Sequence, residues 1–250
     1  MAFEQFLERV RHRLLKMRLH PIRVYCFHQV SDELDLTKSF ECDWTETGKF
    51  KETILKLRRQ YRFITLDEAF KHIKHDKFRF VNYAVLTSDD GYHSVLSVIP
   101  WLKDNHIPIT LFVNAQYLDS KHFIAELYCQ AQKESPELSE SDFVKDLYIT
   151  EEELKEMDSQ WVSIGLHGYE HVSVSAMNDL EFESQLEKSL SIISSLKGFV
   201  PFYAYTFGVH KRRTDAILRA KGLVPVLMDG SYNINDELFI LRECVDKGVI

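Results

Sequence analysis

The chain has 250 residues, a formal net charge of −7 and 45% hydrophobic residues. That length is ample for one domain with its own core, and the mild negative charge argues against a nucleic-acid partner. No run approaches the roughly 20 apolar residues of a membrane span, and the N-terminus lacks the apolar core of a signal peptide. The four cysteines, Cys26, Cys42, Cys129 and Cys244, form neither a CxxC pair nor a disulfide framework, so the expectation is a cytoplasmic protein with reduced thiols.

In chain order, a helix is predicted over residues 3–19. Phe3, Phe6, Leu7, Val10, Leu14 and Met17 recur at helical spacing, and Arg11, Arg13, Lys16 and Arg18 add positive charge. It is either an extension packed on the domain or a basic amphipathic segment on an anionic membrane surface. Pro21 ends it. A strand over 22–30 carries His28 near its end, where it either faces a site or serves as a structural histidine bonded to a loop. A helix over 45–60, a strand over 63–66 and a helix over 67–75, capped by Thr65 or Asp67, come next.

The apolar strand 83–86 then stops at Asp89-Asp90-Gly91. A helix near 95–105 with Pro100 and a strand over 109–114 complete a parallel crossover unit. Residues 121–151 read as a charged insertion with a loop at 136–142. Thr150 and Glu153 form a capping-box pattern for a helix over 151–157. The strand 161–166 ends at His167-Gly168-Tyr169-Glu170-His171. A long helix over 180–196 closes at Gly198. A strand over 202–205 runs into Thr206-Phe207-Gly208, followed by a helix over 214–221 and strands over 223–227 and 239–244. No repeat or linker appears, so the economical division is an extension over 1–20 and one domain over 21–250. The alternation of strands and helices predicts an α/β fold on one parallel sheet; counting alone does not separate a barrel from an open sheet.

Two stretches carry chemistry. Adjacent acids at a strand's C-terminal end point to opposite faces and can take different jobs, while Gly91 permits the sharp turn; taken alone, Asp-Gly is also a common solvated turn. His167 and His171 are four apart, so one helical turn after the strand would set both imidazoles on one face, able to grip one cation. Two surface histidines at that spacing are frequent, but one carboxylate plus two histidines is the ligand count of a catalytic zinc site with an open position.

Thr87-Ser88-Asp89-Asp90-Gly91 resembles the T-F-D-D-G motif of the polysaccharide deacetylase family (NodB-like, carbohydrate esterase family 4), and His167 to His171 matches its H-[ST]-x-x-H motif in spacing. Val24-Tyr25-Cys26-Phe27-His28-Gln29-Val30 is similar to the MYHRV opening strand of one branch. Tyr203 to Gly208 is similar to that branch's FAYPFG segment, and Leu241-Arg242 to its closing LPRI strand. The resemblance spans about residues 24–244. It implies a distorted, often incomplete (β/α) barrel of about seven parallel strands. It further implies zinc, or a similar ion such as cobalt or nickel, held by Asp90, His167 and His171, with Asp89 as general base. The implied reaction removes an acetyl or similar acyl group from the nitrogen of an amino sugar in a glycan, including a lipid-linked one. Tyr92, Tyr205 and Arg242 are expected to contact substrate, with Arg242 alternatively contacting the base.

The chain also departs from the family. The late L-x-H histidine, the usual general acid, is replaced by Leu241-Arg242-Glu243, which leaves His28, His93, His210 or the protonated Asp89 for that role. No arginine stands in 202–208 to orient the base. Gly168 takes the place of a hydroxyl residue, which predicts a weaker hold on the histidine loop. The alternatives to a metal-dependent deacetylase are a degenerate protein that binds a glycan or partner without turnover, and an amidase acting on a formamido sugar or another small amide.

Overall fold

The computed structural model describes residues 20–32, 44–75, 80–118, 147–228, 233 and 239–246. The helix expected over 3–19, most of the insertion expected over 121–151, Cys42 and Cys129 lie outside these. The described strands in chain order are β1 (Ile22–Phe27), β2 (Gln29–Val30), β3 (Trp44–Thr45), β4 (Arg62–Phe63), β5 (Tyr83–Ser88), β6 (Ile109–Val113), β7 (Val162–Leu166), β8 (Phe199–Ala204), β9 (Val224–Met228) and β10 (Ile240–Cys244). The helices are α1 (Thr47–Arg58), α2 (Leu66–His75), α3 (Ile99–Asp104), α4 (Glu151–Glu156), α5 (Asp179–Ile193) and α6 (Arg212–Ala220).

β1 pairs with both β5 and β10, and β5 through β10 pair in succession, every pair parallel. The result is a closed seven-stranded barrel rather than an open sheet. β4 adds to the first residues of β5 outside that ring, and β2 and β3 make a separate short parallel pair. Both faces of each barrel strand are covered, which is why the strands read as nearly continuous apolar runs.

The interior and exterior cores are distinct. Ile22, Val24, Val85, Phe112, Phe202, Ala204, Val226 and Ile240 fill the barrel's lower interior together with Leu66, Ala69 and Ile73 of α2. α2 packs across the end where the strands begin, its His72 stacked on Tyr83 at 4.7 Å. It is capped by Thr65, whose hydroxyl accepts the Glu68 N–H at 3.1 Å. Alternate residues such as Leu86, Leu111, Ile164 and Leu166 face outward under α1 and α5. Thr150 and Glu153 close a reciprocal cap on α4, and Asn178 and Glu181 do the same on α5. With apolar side chains below, the upper interior is left to the polar residues at the strands' C-terminal ends. Among the described residues no helix is long and apolar enough to cross a membrane.

Candidate active site

The two acids that end β5 do not part as strand alternation predicts. Asp89 continues the inward face and meets Arg242, which β10 also points inward. The guanidinium donates from Nη1 to Asp89 Oδ1 at 2.6 Å and from Nη2 to Oδ2 at 2.5 Å, a bidentate pair in which Arg242 is only 1% exposed. Phe112 lies beneath, its ring centroid 5.2 Å from the guanidinium carbon. Burial alone would raise the Asp89 carboxyl pKa; the Arg242 charge holds it below the ordinary range.

Asp90 adopts a left-handed backbone, φ 67°, followed by Gly91 at φ 73°. Aspartate tolerates that region better than most residues. The turn swings its carboxylate back over the barrel mouth, where Oδ1 stands 3.0 Å from His167 Nε2 and 3.2 Å from His171 Nε2. A β-carbon at Gly91 would sit 3.0 Å from Val113, so the turn suits glycine sterically as well.

The histidines meet without a helix. His167 extends β7, and its Nδ1 donates to the Ala204 carbonyl at 2.9 Å, which leaves Nε2 facing Asp90. Asn114, fully buried, donates to the His167 carbonyl at 2.8 Å. Between the histidines the chain bends through Gly168 at φ 98°. The expected helical turn is therefore absent, and the loop is held by main-chain bonds from Ala115 to the Gly168 carbonyl and from Gln116 to the Tyr169 carbonyl. Thr206 adds a side-chain donation to the Val172 carbonyl at 2.8 Å.

These residues fit a divalent transition ion. Their ligand atoms all lie within 4.8 Å of one another. Asp90 Oδ1 is buried and, despite two nearby imidazole nitrogens, receives no well-directed hydrogen bond. An acceptor oxygen facing the bare nitrogen of a histidine whose other nitrogen is committed to a carbonyl is the arrangement a cation completes. The separations of 3.0 and 3.2 Å are also close to the about 3.3 Å edge of a tetrahedral zinc site.

The structure brings Asp89, Asp90, His167, His171 and Arg242 together and places two expected substrate contacts elsewhere. Arg242 is enclosed beneath Asp89, so it touches the proposed base and not open solvent. Tyr205 is likewise 1% exposed; its hydroxyl donates to Asp215 Oδ1 at 2.9 Å, with Thr214 Oγ1 also 2.9 Å away. That network turns the tyrosine under α6, away from the mouth. Tyr92 stacks on Tyr148 at 5.2 Å in a small buried cluster with Tyr117 and Leu147, leaving it 6% exposed.

Sequence reasoning left the role of His28 open and missed Asp246. His28 follows β1 beside Asp89, and one of its ring nitrogens lies within 4.8 Å of an Asp89 carboxylate oxygen. Its main-chain N–H reaches Asp246 Oδ1 at 3.0 Å, and its Nδ1 reaches Oδ2 at 2.6 Å. Cys244 donates to the same oxygen at 3.2 Å. Burial would lower the His28 pKa, yet the bond to Asp246 outweighs it and the imidazole holds its proton well above the usual range. The available signal was a carboxylate two residues past the last strand. His93 and His210, the other open choices, pair with Glu153 and Asp215.

The fold and site define a parallel (β/α) barrel in which Asp90, His167 and His171 form a group that could hold a cation, beside a buried carboxylate–arginine pair. A family model described as polysaccharide deacetylase matches residues 81–226, more than half of the chain, and the chain belongs to that family. No curated protein sequence matches it significantly. Among solved structures, IcaB from Ammonifex degensii is similar at 22% identity and a TM-score of 0.70, covering 91% of this chain and 93% of its own. The Streptococcus pyogenes deacetylase PplD, solved with acetate, is similar at 15% identity and a TM-score of 0.71, covering 90% and 92%. The deacetylase domain of BpsB from Bordetella bronchiseptica is similar at 18% identity and a TM-score of 0.60, covering 90% and 96%. At these identities the likeness concerns the fold.

Proposed function

We propose that the protein is a metal-dependent hydrolase that removes an acetyl group from the nitrogen of an amino sugar within a glycan. The observation that carries this reading is the convergence of Asp90, His167 and His171 beside the ion-paired Asp89. Asp90, His167 and His171 would hold a zinc or similar ion, which when bound supplies Lewis-acid activation of water and of the acyl carbonyl.

The other roles fall to the chain's own groups. Asp89 accepts the proton of the attacking water; Arg242 occupies both its oxygens from below, and each oxygen keeps a lone pair for that proton. A main-chain N–H of the turn over residues 205–208 donates to the oxyanion that forms when the carbonyl is attacked. His28, kept protonated by Asp246, gives its proton to the leaving amine, so the C–N bond breaks to a free amine and acetate. Of the histidines left open by the sequence, His28 is favoured by its place next to Asp89. Lipid linkage of the glycan, and contact with a membrane surface through residues 1–20, belong to the same proposal and are checked by sedimentation with anionic vesicles.

The test combines elemental analysis with acetate release from N-acetylated glucosamine oligomers. About one ion per chain and released acetate are expected, with both lost in an Asp90→Ala His167→Ala variant. A native protein that takes up no zinc, cobalt or nickel and releases nothing would overturn the reading in favour of a glycan-binding protein without turnover; release of formate but not acetate would move it to a formamido sugar.

A further inference from the structure

The end of the barrel where the strands begin, opposite the mouth that holds Asp90, His167 and His171, carries a surface that the chemistry above leaves unused. Phe80, in the segment that enters β5, is 82% exposed, more than any other large apolar residue among those described, and the neighbouring Val81 is 41% exposed. A lone apolar side chain on a surface needs no explanation, but these two stand at the rim of a basic hollow. The hollow, of about 520 Å³, is lined by Val81, Tyr61 and the exposed Arg58, Arg59 and Arg62, and none of its described lining residues is acidic. Arg58 donates to Asn105 Oδ1 at 2.9 Å, and among the described residues none of the three arginines has a carboxylate partner. β4 fixes their place: the Arg62 N–H donates to the carbonyl of Asn82, the residue after Val81, at 2.8 Å. Asn82 is also where residues 1–19 are tethered, because His20 Nδ1 donates to its Oδ1 at 2.6 Å. That segment carries Arg9, Arg11, Arg13, Lys16 and Arg18 against Glu4 and Glu8, in a chain whose net charge is −7. Exposed apolar side chains and unpaired positive charge therefore coincide at this end.

We propose that this end of the barrel is the face by which the protein rests on an anionic lipid bilayer. The inference rests on the membrane contact proposed above and adds the surface that makes it. Phe80 and Val81 enter the boundary between headgroups and acyl chains, where a phenyl ring leaves water without stranding a polar group. Arg58, Arg59 and Arg62 meet lipid phosphates, which guanidinium groups bind in bidentate fashion. Neither part is enough alone: one aromatic side chain binds weakly to any bilayer, and exposed arginines give an attraction that salt screens. With the basic segment tethered beside them, they combine the apolar and electrostatic signals that stable peripheral binding takes. The orientation has a consequence for the site. Strands of six residues such as β1 and β5 span about 20 Å, so the mouth faces away from the lipid and stays open to a glycan in solution or projecting from the surface.

The experiment sediments the full chain with vesicles of phosphatidylcholine alone, and of phosphatidylcholine with an equal share of phosphatidylglycerol, for wild type, Phe80→Ser and Arg59→Gln Arg62→Gln. Wild type is expected to sediment with the anionic vesicles only. The arginine variant is expected to bind more than tenfold more weakly, at about fivefold per arginine, and Phe80→Ser about tenfold more weakly. Both variants should keep the wild-type thermal midpoint, since the substituted side chains are exposed. Phe80→Trp reports insertion: with anionic vesicles its emission should shift to the blue and be quenched by brominated acyl chains, beyond the change shown by wild type. If wild type sediments and the variants sediment equally well, the face is overturned and the contact through residues 1–20 stands without it. If wild type does not sediment, the membrane contact fails and the inference with it. Release from the vesicles by inorganic phosphate at constant ionic strength would mark a site for a soluble anion and overturn it as well. Acetate release from a soluble N-acetylated glucosamine oligomer should be the same for vesicle-bound and free wild type; its loss on binding would set the mouth against the lipid and overturn the orientation. If the free protein releases no acetate, the hydrolase reading fails separately, and sedimentation with the Phe80→Trp emission still decides the face.

Discussion

At Arg242 a guanidinium sits where almost no water reaches it, and the Asp89 carboxylate meets its charge through two hydrogen bonds. Removing one member of such a pair strands the other, at about 3–5 kcal/mol. Arg242→Met should therefore lower stability by that order, read by denaturant unfolding. The pH dependence should also change sign. In the native protein the folded Asp89 pKa is depressed, so its contribution to stability is present above about pH 4 and is lost as pH falls. Without Arg242, burial dominates and raises that pKa, so the contribution is lost as pH rises, and the acid limb of kcat/KM moves to higher pH. Asp246→Asn acts on the opposite limb: with its hydrogen-bonded anion gone, burial pulls the His28 pKa down, and the alkaline limb of kcat/KM shifts to lower pH. Gly168 gives a test against family expectation. A serine there looks like a repair by motif, but the residue stands at φ 98° with the Glu170 carbonyl 3.0 Å from any β-carbon. Gly168→Ser should weaken zinc binding about tenfold or more by displacing the histidine loop, measured by competition with a chelator. Main-chain bonds from Ala115 and Gln116 to the Gly168 and Tyr169 carbonyls tie this loop to the segment after β6.

Strands and helices were legible because each announces itself locally. β5 and β7 begin and end close to the predicted bounds, since apolar runs meet charge abruptly at both. The cap at Thr150 follows from side chains three residues apart; the cap of the same form at Asn178 was not anticipated. What local pattern could not show is how an element bends to meet another. The HxxxH spacing suggested a helical turn, whereas tertiary bonds and a left-handed glycine impose an open loop. β7 holds a related constraint at Gly165, where a β-carbon would fall 2.5 Å from the Phe112 ring. That ring carries the Arg242 guanidinium, so overfilling the strand is felt in the site. Gly165→Ala is expected to cost about 1–3 kcal/mol and to lower kcat, with the thermal midpoint and initial rates as readouts.

For the whole molecule, closure of the barrel decides which distant residues meet. The two motifs on β5 and β7 could be joined from the sequence because their residue types share one chemistry. The partnership of Asp89 with Arg242, 153 residues away, was legible only as one of two alternatives through the resemblance, and that of His28 with Asp246, 218 residues away, was not legible at all. They depend on β1 pairing with β10 and β5 at once, a long-range register that periodicity does not encode.

That closure also orders events during synthesis. A nascent chain that has emerged through β9 already displays Asp89, Asp90, His167 and His171, but neither Arg242 nor Asp246. Its proposed base has no counter-ion and its proposed acid has no anchor. On the proposed reading, ribosome-bound chains stalled after Met228 are therefore expected to release no acetate even when supplied with zinc.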